Sequence, residues 1–425
     1  MRIIVFIACM LFTLNVVAAP KVQEVRAQET GIKALLVENR ANPIISVVIA
    51  FKTGGANDAI DKQGLSDLMA GTLERGAGDM NAEEFARILY EKSIQISFSA
   101  SKESFIIRLQ TLRNNYKEAF AILRKVLLLP HFKVDEIDKA KEEIKATIAL
   151  QKESPSSEIM EMLLKEIFLS HPYSYGNDEV LSSLANITRF DLQGYMARFA
   201  KDNMLLSVSG DISAVELKSI IDVTFDFMAE KSVGNNISKP EFSVKSEPVI
   251  IKKDTPQSVV VYSIPWIKRS DEGFYAGFVL NYILGGAGME SVLMKELREK
   301  EGLTYGASSF LAEFAETSVM IGTASVAKEN SQKAVGVVKK ILSEVEISEY
   351  QLTDAKDYLT GAFPLMFTSN MDTANMLYIM QKYNLGNDYL LKRNDYIKSV
   401  TLDDINALAK KMLDVKKSTF VVMGE

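Results

Sequence analysis

The segment Ile187-Thr188-Arg189-Phe190-Asp191-Leu192 begins a helical pattern that leads into a strand-like segment, Leu205-Leu206-Ser207-Val208-Ser209-Gly210-Asp211. The same order returns later, where Val400-Thr401-Leu402-Asp403-Asp404-Ile405 leads into Thr419-Phe420-Val421-Val422-Met423-Gly424-Glu425. In each copy a threonine stands three positions before an acid, which is a typical helix start. The threonine and the closing glycine lie 22 positions apart in the first copy and 23 in the second. This recurrence indicates a chain built from two related halves.

A second pair of matching segments lies upstream in each half. Ala119–Leu127 (AFAILRKVL) resembles Ala334–Leu342 (AVGVVKKIL). Each precedes an acidic segment and a long helical pattern, which contains Ala140-Lys141 in one half and Ala355-Lys356 in the other. Helix and strand patterns can look alike by chance, but two matches in the same order favour an internal duplication.

The division between the halves is predicted at a polar segment with two prolines and no helical periodicity. This segment, residues 231–248, is interpreted as a linker between domains at residues 19–230 and 249–425. Strand-like sequence stands early in each half, at Ile45–Phe51 and Ser258–Ser263, and long helical patterns follow. The expected fold class is therefore α+β, with two homologous α/β sandwich domains, each a mainly antiparallel sheet covered by helices.

Composition restricts the function classes. Hydrophobic residues make up 47% and charged residues 24% of the 425 residues, an ordinary balance for a globular protein. The formal net charge is −6, with Lys and Arg scattered among acids. A nucleic-acid surface would need clustered basic charge, so nucleic acid is not expected as a partner.

Residues 1–18 are predicted to be a signal peptide. Arg2 is followed by an apolar run, Ile3 to Val17, and then by small residues, with cleavage expected after Ala18. The run is too short for a membrane anchor, although an uncleaved anchor is the alternative. Cys9, the only cysteine, lies inside this segment, so the mature chain would have neither disulfides nor thiolate metal sites. We therefore expect a periplasmic protein without stable membrane insertion.

A segment of the first half, Gly64-Leu65-Ser66-Asp67-Leu68-Met69-Ala70-Gly71-Thr72, resembles the zinc-binding helix of the pitrilysin/insulinase peptidase family. That family carries Gly-Leu-x-His-x-x-Glu-His here, followed shortly by Gly-Thr. The two histidines bind zinc and the glutamate is the general base. In this sequence Asp67, Ala70 and Gly71 stand at the positions of the first histidine, the glutamate and the second histidine.

The resemblance extends over nearly all of the predicted mature chain. His171-Pro172-Tyr173 resembles the end of the family's first domain. In the second half, Leu284-Gly285-Gly286-Ala287-Gly288 looks like the family's glycine loop, and Leu297–Tyr305 looks like its Leu-Arg-x-x-x-Gly-Leu-x-Tyr motif. The short two-domain length is similar to the family's bacterial and mitochondrial-processing branch, whose members commonly work as dimers.

The resemblance implies that this chain binds no zinc. The family's third ligand, a glutamate in a long helix, corresponds to Thr147 by its distance from the second histidine position. The chain contains only two histidines, His131 and His171, which are most simply structural or surface residues. A typical catalytic zinc site needs histidine or cysteine supported by a carboxylate, and with no cysteine in the mature chain we do not expect a zinc role for either histidine.

Other family positions are retained. Arg298 and Tyr305 match the second-half motif, and the resemblance implies that they approach the substrate's scissile carbonyl and backbone. Periodicity alone favours a helix-face cation for Arg298 and a core strand residue for Tyr305, and the ordered match with the family's motifs reverses that preference. Gly285, Gly286 and Gly288 are candidates for substrate contact or a tight turn, since their spacing fits no phosphate loop. Ser97 and Ser99 lie in Gln95–Ala100, which resembles the family's substrate-pairing strand.

These observations lead to one main hypothesis and two alternatives. The main one is a zinc-free subunit, inactive alone, that binds peptide, pairs with a zinc-bearing homologue and completes its site with Arg298 and Tyr305. The second is a non-catalytic peptide-binding or scaffold protein of the same fold. The third, an independent metallopeptidase, is the least favoured. No cofactor is expected in this chain, and zinc is expected in the partner.

Overall fold

The computed structural model describes residues 20–234 and 236–424, so the predicted signal peptide lies outside the described residues. The first half contains the following strands and helices in chain order: β1 (Gln23–Arg26), β2 (Lys33–Glu38), β3 (Ile44–Phe51), α1 (Leu65–Leu73), β4 (Gly76–Ala77), β5 (Met80–Asn81), α2 (Ala82–Glu91), β6 (Gln95–Ala100), β7 (Phe105–Leu112), α3 (Tyr116–Leu128), α4 (Val134–Glu153), α5 (Pro155–Phe168), α6 (Asn177–Ser183), α7 (Arg189–Tyr195), β8 (Met204–Gly210) and α8 (Ala214–Phe225).

The second half repeats this order with small changes. Its elements are β9 (Val249–Ile251), β10 (Ser258–Pro265), α9 (Phe274–Asn281), α10 (Val292–Met294), β11 (Thr304–Glu313), β12 (Ser318–Val326), α11 (Ser331–Glu344), α12 (Glu349–Gly361), α13 (Asn370–Lys382), α14 (Tyr389–Lys398), α15 (Leu402–Met412) and β13 (Thr419–Met423). Two π-helical turns, Tyr282–Gly286 and Lys295–Lys300, follow α9 and α10. Between α8 and β9 the described residues form neither helix nor strand.

The two sheets have the same topology. The first has the order β6-β7-β3-β8-β2-β1, and the second has the order β11-β12-β10-β13-β9. In each sheet one pair is parallel, β2 with β8 and β9 with β13, and the other pairs are antiparallel. Five strands of one sheet thus correspond in order and direction to five of the other, with β1 added. The predicted fold class, two related α+β sandwiches with mainly antiparallel sheets, is confirmed.

The helix starts in the repeated segments are capped as predicted. The Thr188 hydroxyl accepts a hydrogen bond from the Asp191 backbone N–H at 3.4 Å, and the Asp191 carboxylate accepts one from the Thr188 N–H at 2.7 Å. Thr401 and Asp404 form the same reciprocal pair at 3.1 and 3.0 Å. Each pair satisfies donors that a helix N-terminus otherwise leaves without partners.

The halves exchange helices. One face of each sheet is covered by helices of its own half. The other face of the second sheet is covered by α5 of the first half, and the other face of the first sheet by α13 of the second half. Leu163 of α5 is buried among strand residues of the second sheet, and Leu377 of α13 among those of the first. The sequence predicted helices over each sheet, but this exchange was not predicted.

Polar contacts reinforce the seat of α13 on the first sheet. The Asn370 side chain donates to the Ile44 carbonyl at 3.0 Å, and the Gln381 side chain donates to the Leu206 carbonyl at 2.8 Å. Both contacts satisfy backbone oxygens of the sheet near the covered face.

Within the described residues, no helix is both long enough and apolar enough to cross a bilayer.

Candidate functional site

The degenerate zinc positions meet in one place. Asp67 and Gly71 on α1 and Thr147 on α4 all line a single cavity of about 430 Å³ between these helices. Ala70, at the position of the general base, is buried against the core of the first half. We call this cavity, together with the adjoining one at Asp67, the α1 cleft. Its chemistry differs from that of a zinc site because its three facing positions offer one carboxylate, one hydroxyl and no imidazole.

A glycine is required where α1 begins. Gly64 precedes the helix with φ of +88°, a left-handed conformation that residues with a side chain rarely adopt. A Cβ atom at this position would lie 2.7 Å from Cγ1 of Val180 on α6. The close approach of α6 to the start of α1 narrows the α1 cleft on that side.

A buried polar network holds the first turn of α1. The Asp58 carboxylate accepts hydrogen bonds from the Ser66 backbone N–H at 2.8 Å, the Ser66 hydroxyl at 2.9 Å and the Arg198 guanidinium at 2.8 Å. The Tyr195 hydroxyl donates to the Ser66 oxygen at 3.0 Å. Burial raises the pKa of Asp58, against the opposing effect of Ser66 and Arg198. No motif in the sequence marks these residues, and our sequence analysis missed them.

Asp67 directly follows Ser66 in the first turn of α1 and faces the α1 cleft. Solvent reaches it through the open cleft, yet protein surrounds the carboxylate, and this desolvation raises its pKa to about 6. Repulsion by the Asp58 carboxylate acts in the same direction, and attraction by Lys102 opposes it. Within the described part of the chain, no donor lies within hydrogen-bonding distance of the Asp67 carboxylate.

The residues present do not fit a zinc ion. Across residues 20–234 and 236–424, no group of three His, Cys, Asp or Glu side chains is placed to hold a metal. The two histidines bond to backbone groups elsewhere. His131 Nε2 lies 2.7 Å from the Gly78 carbonyl oxygen. His171 accepts from the Tyr173 N–H at 3.2 Å through Nδ1, and its Nε2 lies 2.9 Å from the Ser238 carbonyl oxygen.

Arg298 and Tyr305 lie side by side on the surface of the second half. Arg298 belongs to the second π-helical turn, and its Nη1 lies 3.4 Å from the Tyr305 carbonyl oxygen and 3.0 Å from the Met289 sulfur. Tyr305 is 83% exposed, so it is not a core strand residue. It is the extra residue of a β-bulge in the edge strand β11, between Thr304 and Gly306. Bulges turn a side chain away from the regular alternation of a strand, which explains its exposure.

The three candidate glycines have different environments. Gly285 is buried in the first π-helical turn, and a Cβ there would lie 2.2 Å from the Ser309 backbone nitrogen. Gly285 therefore permits close packing of this turn on β11 instead of contacting a ligand. Gly286 and Gly288 are exposed, and Gly288 has a φ of +58°. Only these two remain available for contact with a substrate.

Ser97 and Ser99 lie on a free sheet edge. Both are exposed on β6, which pairs with β7 on one side and has no neighbouring strand on the other within the described part of the chain. The Arg108 guanidinium reaches the Ser99 hydroxyl at 3.4 Å across the strand pair. An extended peptide could pair with the free backbone groups of β6.

The structure does not combine the two sets of candidate residues into one site. Asp67 lines two cavities, and neither is lined by Arg298 or Tyr305. β11 instead runs from Tyr305 to Glu313, and in the turn that follows, the Ala315 N–H donates to Glu103 at 2.6 Å. Tyr305 therefore lies about 27 Å from Glu313, the end of β11 near which the second half contacts Glu103, since a strand rises about 3.4 Å per residue.

Comparison with known proteins identifies related sequences over most of the chain. Residues 33–176 match the family model described as insulinase (peptidase family M16), and residues 186–359 match the model described as peptidase M16 inactive domain. The chain is 28% identical to the non-peptidase homolog YmxG of Helicobacter pylori, over 93% of this chain and 92% of that one. It is 22% identical to an uncharacterized zinc protease YmxG of Bacillus subtilis, over 90% and 94%.

A solved structure shows the same fold. The crystal structure of a peptidase M16 inactive domain from Pseudomonas fluorescens superposes with a TM-score of 0.86 at 25% sequence identity. The similarity covers 95% of this chain and 97% of that one, so both halves and their arrangement are shared.

Proposed function

Because the chain belongs to the peptidase M16 (insulinase) family, we propose that it is the non-zinc-binding subunit of a heterodimeric peptidase. Its partner is a homologue that carries the zinc-binding helix. The observation that carries this proposal is the contrast between the halves. The α1 cleft has lost the zinc ligands, whereas the second half presents Arg298 and Tyr305 together at its surface.

The chemistry of the Arg298–Tyr305 pair suits a complementing role. A guanidinium offers five donors in a planar fork, and a phenol can donate to an oxyanion as it develops. Arg298 donates through one nitrogen, Nη1, to the Met289 sulfur and the Tyr305 carbonyl oxygen, so its other donors remain available. A large aromatic side chain as exposed as Tyr305 is typical of a surface that a partner or substrate covers.

The position of the pair supports action on a partner's site. Arg298 and Tyr305 do not line the α1 cleft. The two halves are held together by buried apolar faces, because α5 packs on the second sheet and α13 on the first. Closing the second half over the chain's own cleft would disrupt those faces. A second chain that docks against the exposed pair needs no such rearrangement.

The remaining parts of the proposal concern location and cofactor. Zinc belongs to the partner, and residues 1–18 direct this chain to the periplasm. The name of the Helicobacter pylori relative, a non-peptidase homolog, supports the absence of peptidase activity in this chain alone.

Co-expression with a homologue that carries the His-x-x-Glu-His helix tests the proposal. We expect the two chains to copurify and to cleave a quenched fluorescent peptide in a zinc-dependent reaction, with neither chain active alone. Arg298→Ala and Tyr305→Phe should each lower kcat/KM of the assembled pair by about 10²- to 10³-fold, the range for loss of a donor to an oxyanion. Tyr90→Phe is the matched control, because Tyr90 is 88% exposed on the first half.

Unchanged activity of an assembled pair that carries Arg298→Ala and Tyr305→Phe would refute the complementing role. Failure of the two chains to associate would refute the subunit assignment. Zinc-dependent cleavage by this chain alone would establish an independent peptidase.

A second candidate function is peptide binding or scaffolding without catalysis. It is favoured by the free edge of β6, where Ser97 and Ser99 are exposed on the first half alone. Calorimetric titration of the single chain with extended, end-blocked peptides tests it. Proline within β6, as in Ser97→Pro, should weaken binding if the peptide pairs with this edge, whereas Ser97→Ala should not.

A further inference from the structure

The α1 cleft extends beyond the positions that correspond to the family's zinc ligands. Two cavities, of about 440 and 430 Å³, meet along α1 and share Asp67, Gln151, Asn177 and Val180 in their walls. The walls come from α1, α4, α5, the start of α6 and the turn after β6. Small side chains at the former ligand positions leave this volume open.

Among the described residues that line this cleft, Asp67 is the one carboxylate that has neither an ion pair nor a hydrogen bond. Glu143 bonds to Arg75 at 2.5 Å. Glu161 accepts from the Asn177 N–H at 3.0 Å and pairs with Lys165 at 3.1 Å. These neighbouring carboxylates are therefore neutralised within the chain, while Asp67 is not.

The nearest cation does not neutralise Asp67. Lys102 lines the same cleft, but its ammonium donates to the Tyr175 carbonyl instead of forming an ion pair with Asp67. Asp58, behind Asp67, is held by Arg198 at 2.8 Å. Glu179 accepts from the Gly176 N–H at 2.7 Å. Solvent reaches Asp67 through the open cleft, and its unpaired carboxylate would attract a cation that enters beside it.

The wall around Asp67 combines acceptors with an aliphatic surface. The cleft lining includes, beside Asp67, three neutral polar residues that carry amide or hydroxyl oxygens, namely Thr147, Gln151 and Asn177. Ile144 and Ile148 of α4 form the apolar side. An ammonium group has three donors and no acceptor, so it matches this set of oxygens. A divalent metal would find Asp67 as the one carboxylate of the lining that is not already paired with a cation of the chain, which is too little free negative charge for a protein cation site.

We propose that the α1 cleft binds a primary ammonium group on an aliphatic chain, with the ammonium on the Asp67 carboxylate and the chain against Ile144 and Ile148. This site is independent of the proposed partner subunit, because every group it uses lies in the first half of this chain.

Titration of the purified full chain with n-pentylammonium chloride tests the proposal. Isotope-labelled isoleucine methyl groups report binding, and the Ile144 and Ile148 signals should shift in a saturable way. 1-Pentanol, which is similar in size and uncharged, should bind at least about tenfold more weakly, since a hydrogen bond to a charged group contributes on the order of one to two factors of ten. Asp67→Asn should weaken binding of n-pentylammonium by a similar factor.

Asp178→Asn is the matched control, because Asp178 stands next to Asn177 but already pairs with Lys152 at 2.6 Å and Lys165 at 3.3 Å. It should leave affinity within about threefold, since its charge is already compensated. Equal affinity for the amine and the alcohol, or binding that Asp67→Asn leaves unchanged, would overturn the proposal. Zinc chloride that produces the same shifts in an Asp67-dependent manner would replace it with a metal site.

Discussion

The exchange of α5 and α13 predicts that neither half unfolds alone. Leu163 on α5 is fully buried against the second sheet, and Leu377 on α13 is fully buried against the first. Leu163→Ala removes aliphatic volume from the interface between α5 and the second sheet, and both of these elements are packed into hydrophobic cores. Truncations of this kind cost about 3 to 5 kcal/mol of unfolding free energy when the surrounding residues cannot move in to fill the cavity. The strands of the second sheet restrict such movement at the Leu163 position. That loss is a large part of a typical free energy of unfolding of about 5–15 kcal/mol.

Urea unfolding followed by two probes measures the effect. Far-UV circular dichroism reports both halves, whereas Trp266, the only tryptophan of the chain, reports the second half from a buried position after β10. Leu163→Ala and Leu377→Ala should each shift both transitions together. The control Leu150→Ala, at a leucine 69% exposed on α4, should change stability by less than about 0.5 kcal/mol.

The reasoning fails if Leu163→Ala costs less than about 1 kcal/mol. It also fails if the fluorescence transition moves while the circular dichroism transition separates from it, because that would show halves that unfold independently.

Two further predictions concern the candidate sites. The raised pKa of Asp67, about 6 in the folded chain against 3.8 unfolded, means that the folded state binds a proton more tightly; the stability that this one group contributes is therefore fully present below about pH 4 and is lost as the pH rises through about 6. Since solvent reaches Asp67, we expect a fall of about 1 kcal/mol instead of the roughly 3 kcal/mol that full burial would imply. Asp67→Asn should remove this fall, as measured by urea midpoints at pH 4 and 7.5, and a wild-type chain that gains stability over the variant with rising pH would contradict it. Gly285→Ala should destabilise the chain by about 1–3 kcal/mol, because the new Cβ meets the Ser309 backbone nitrogen at 2.2 Å. Gly286→Ala is its control, with the nearest atom at 3.4 Å, and equal effects of the two substitutions would contradict a packing role for Gly285.

Several features of the fold could be predicted from the sequence because they depend on local patterns. The Thr188 and Thr401 helix starts follow from residues three positions apart, and the structure shows both capping pairs. The strands at Ile44–Phe51 and Ser258–Pro265 follow from β-branched runs. The duplication follows from the order of such patterns, and it appears in the structure as two sheets of matching topology.

The candidate sites could be predicted from the sequence only in part. The resemblance to the family supplied Asp67, Gly71 and Thr147 as positions, but their common cavity depends on the packing of α1 against α4. Periodicity placed Tyr305 in a strand and left its exposure open. The bulge that turns it outward depends on how β11 pairs with β12.

The sequence by itself determined the two-part plan, the helix starts and the absence of zinc ligands at the family's positions, because these are properties of residues close together in the chain or of identities at single positions. Only the tertiary structure decided which surface each helix covers. The apolar residues of α5 and α13 indicate that one face of each helix is buried. The hydrophobic effect is non-directional, however, so the sequence does not indicate which sheet that face packs against. The tertiary structure also decided that Arg198 reaches Asp58 across 140 positions while Asp67 keeps no partner. Such long-range pairing depends on how the elements pack, which no local pattern records.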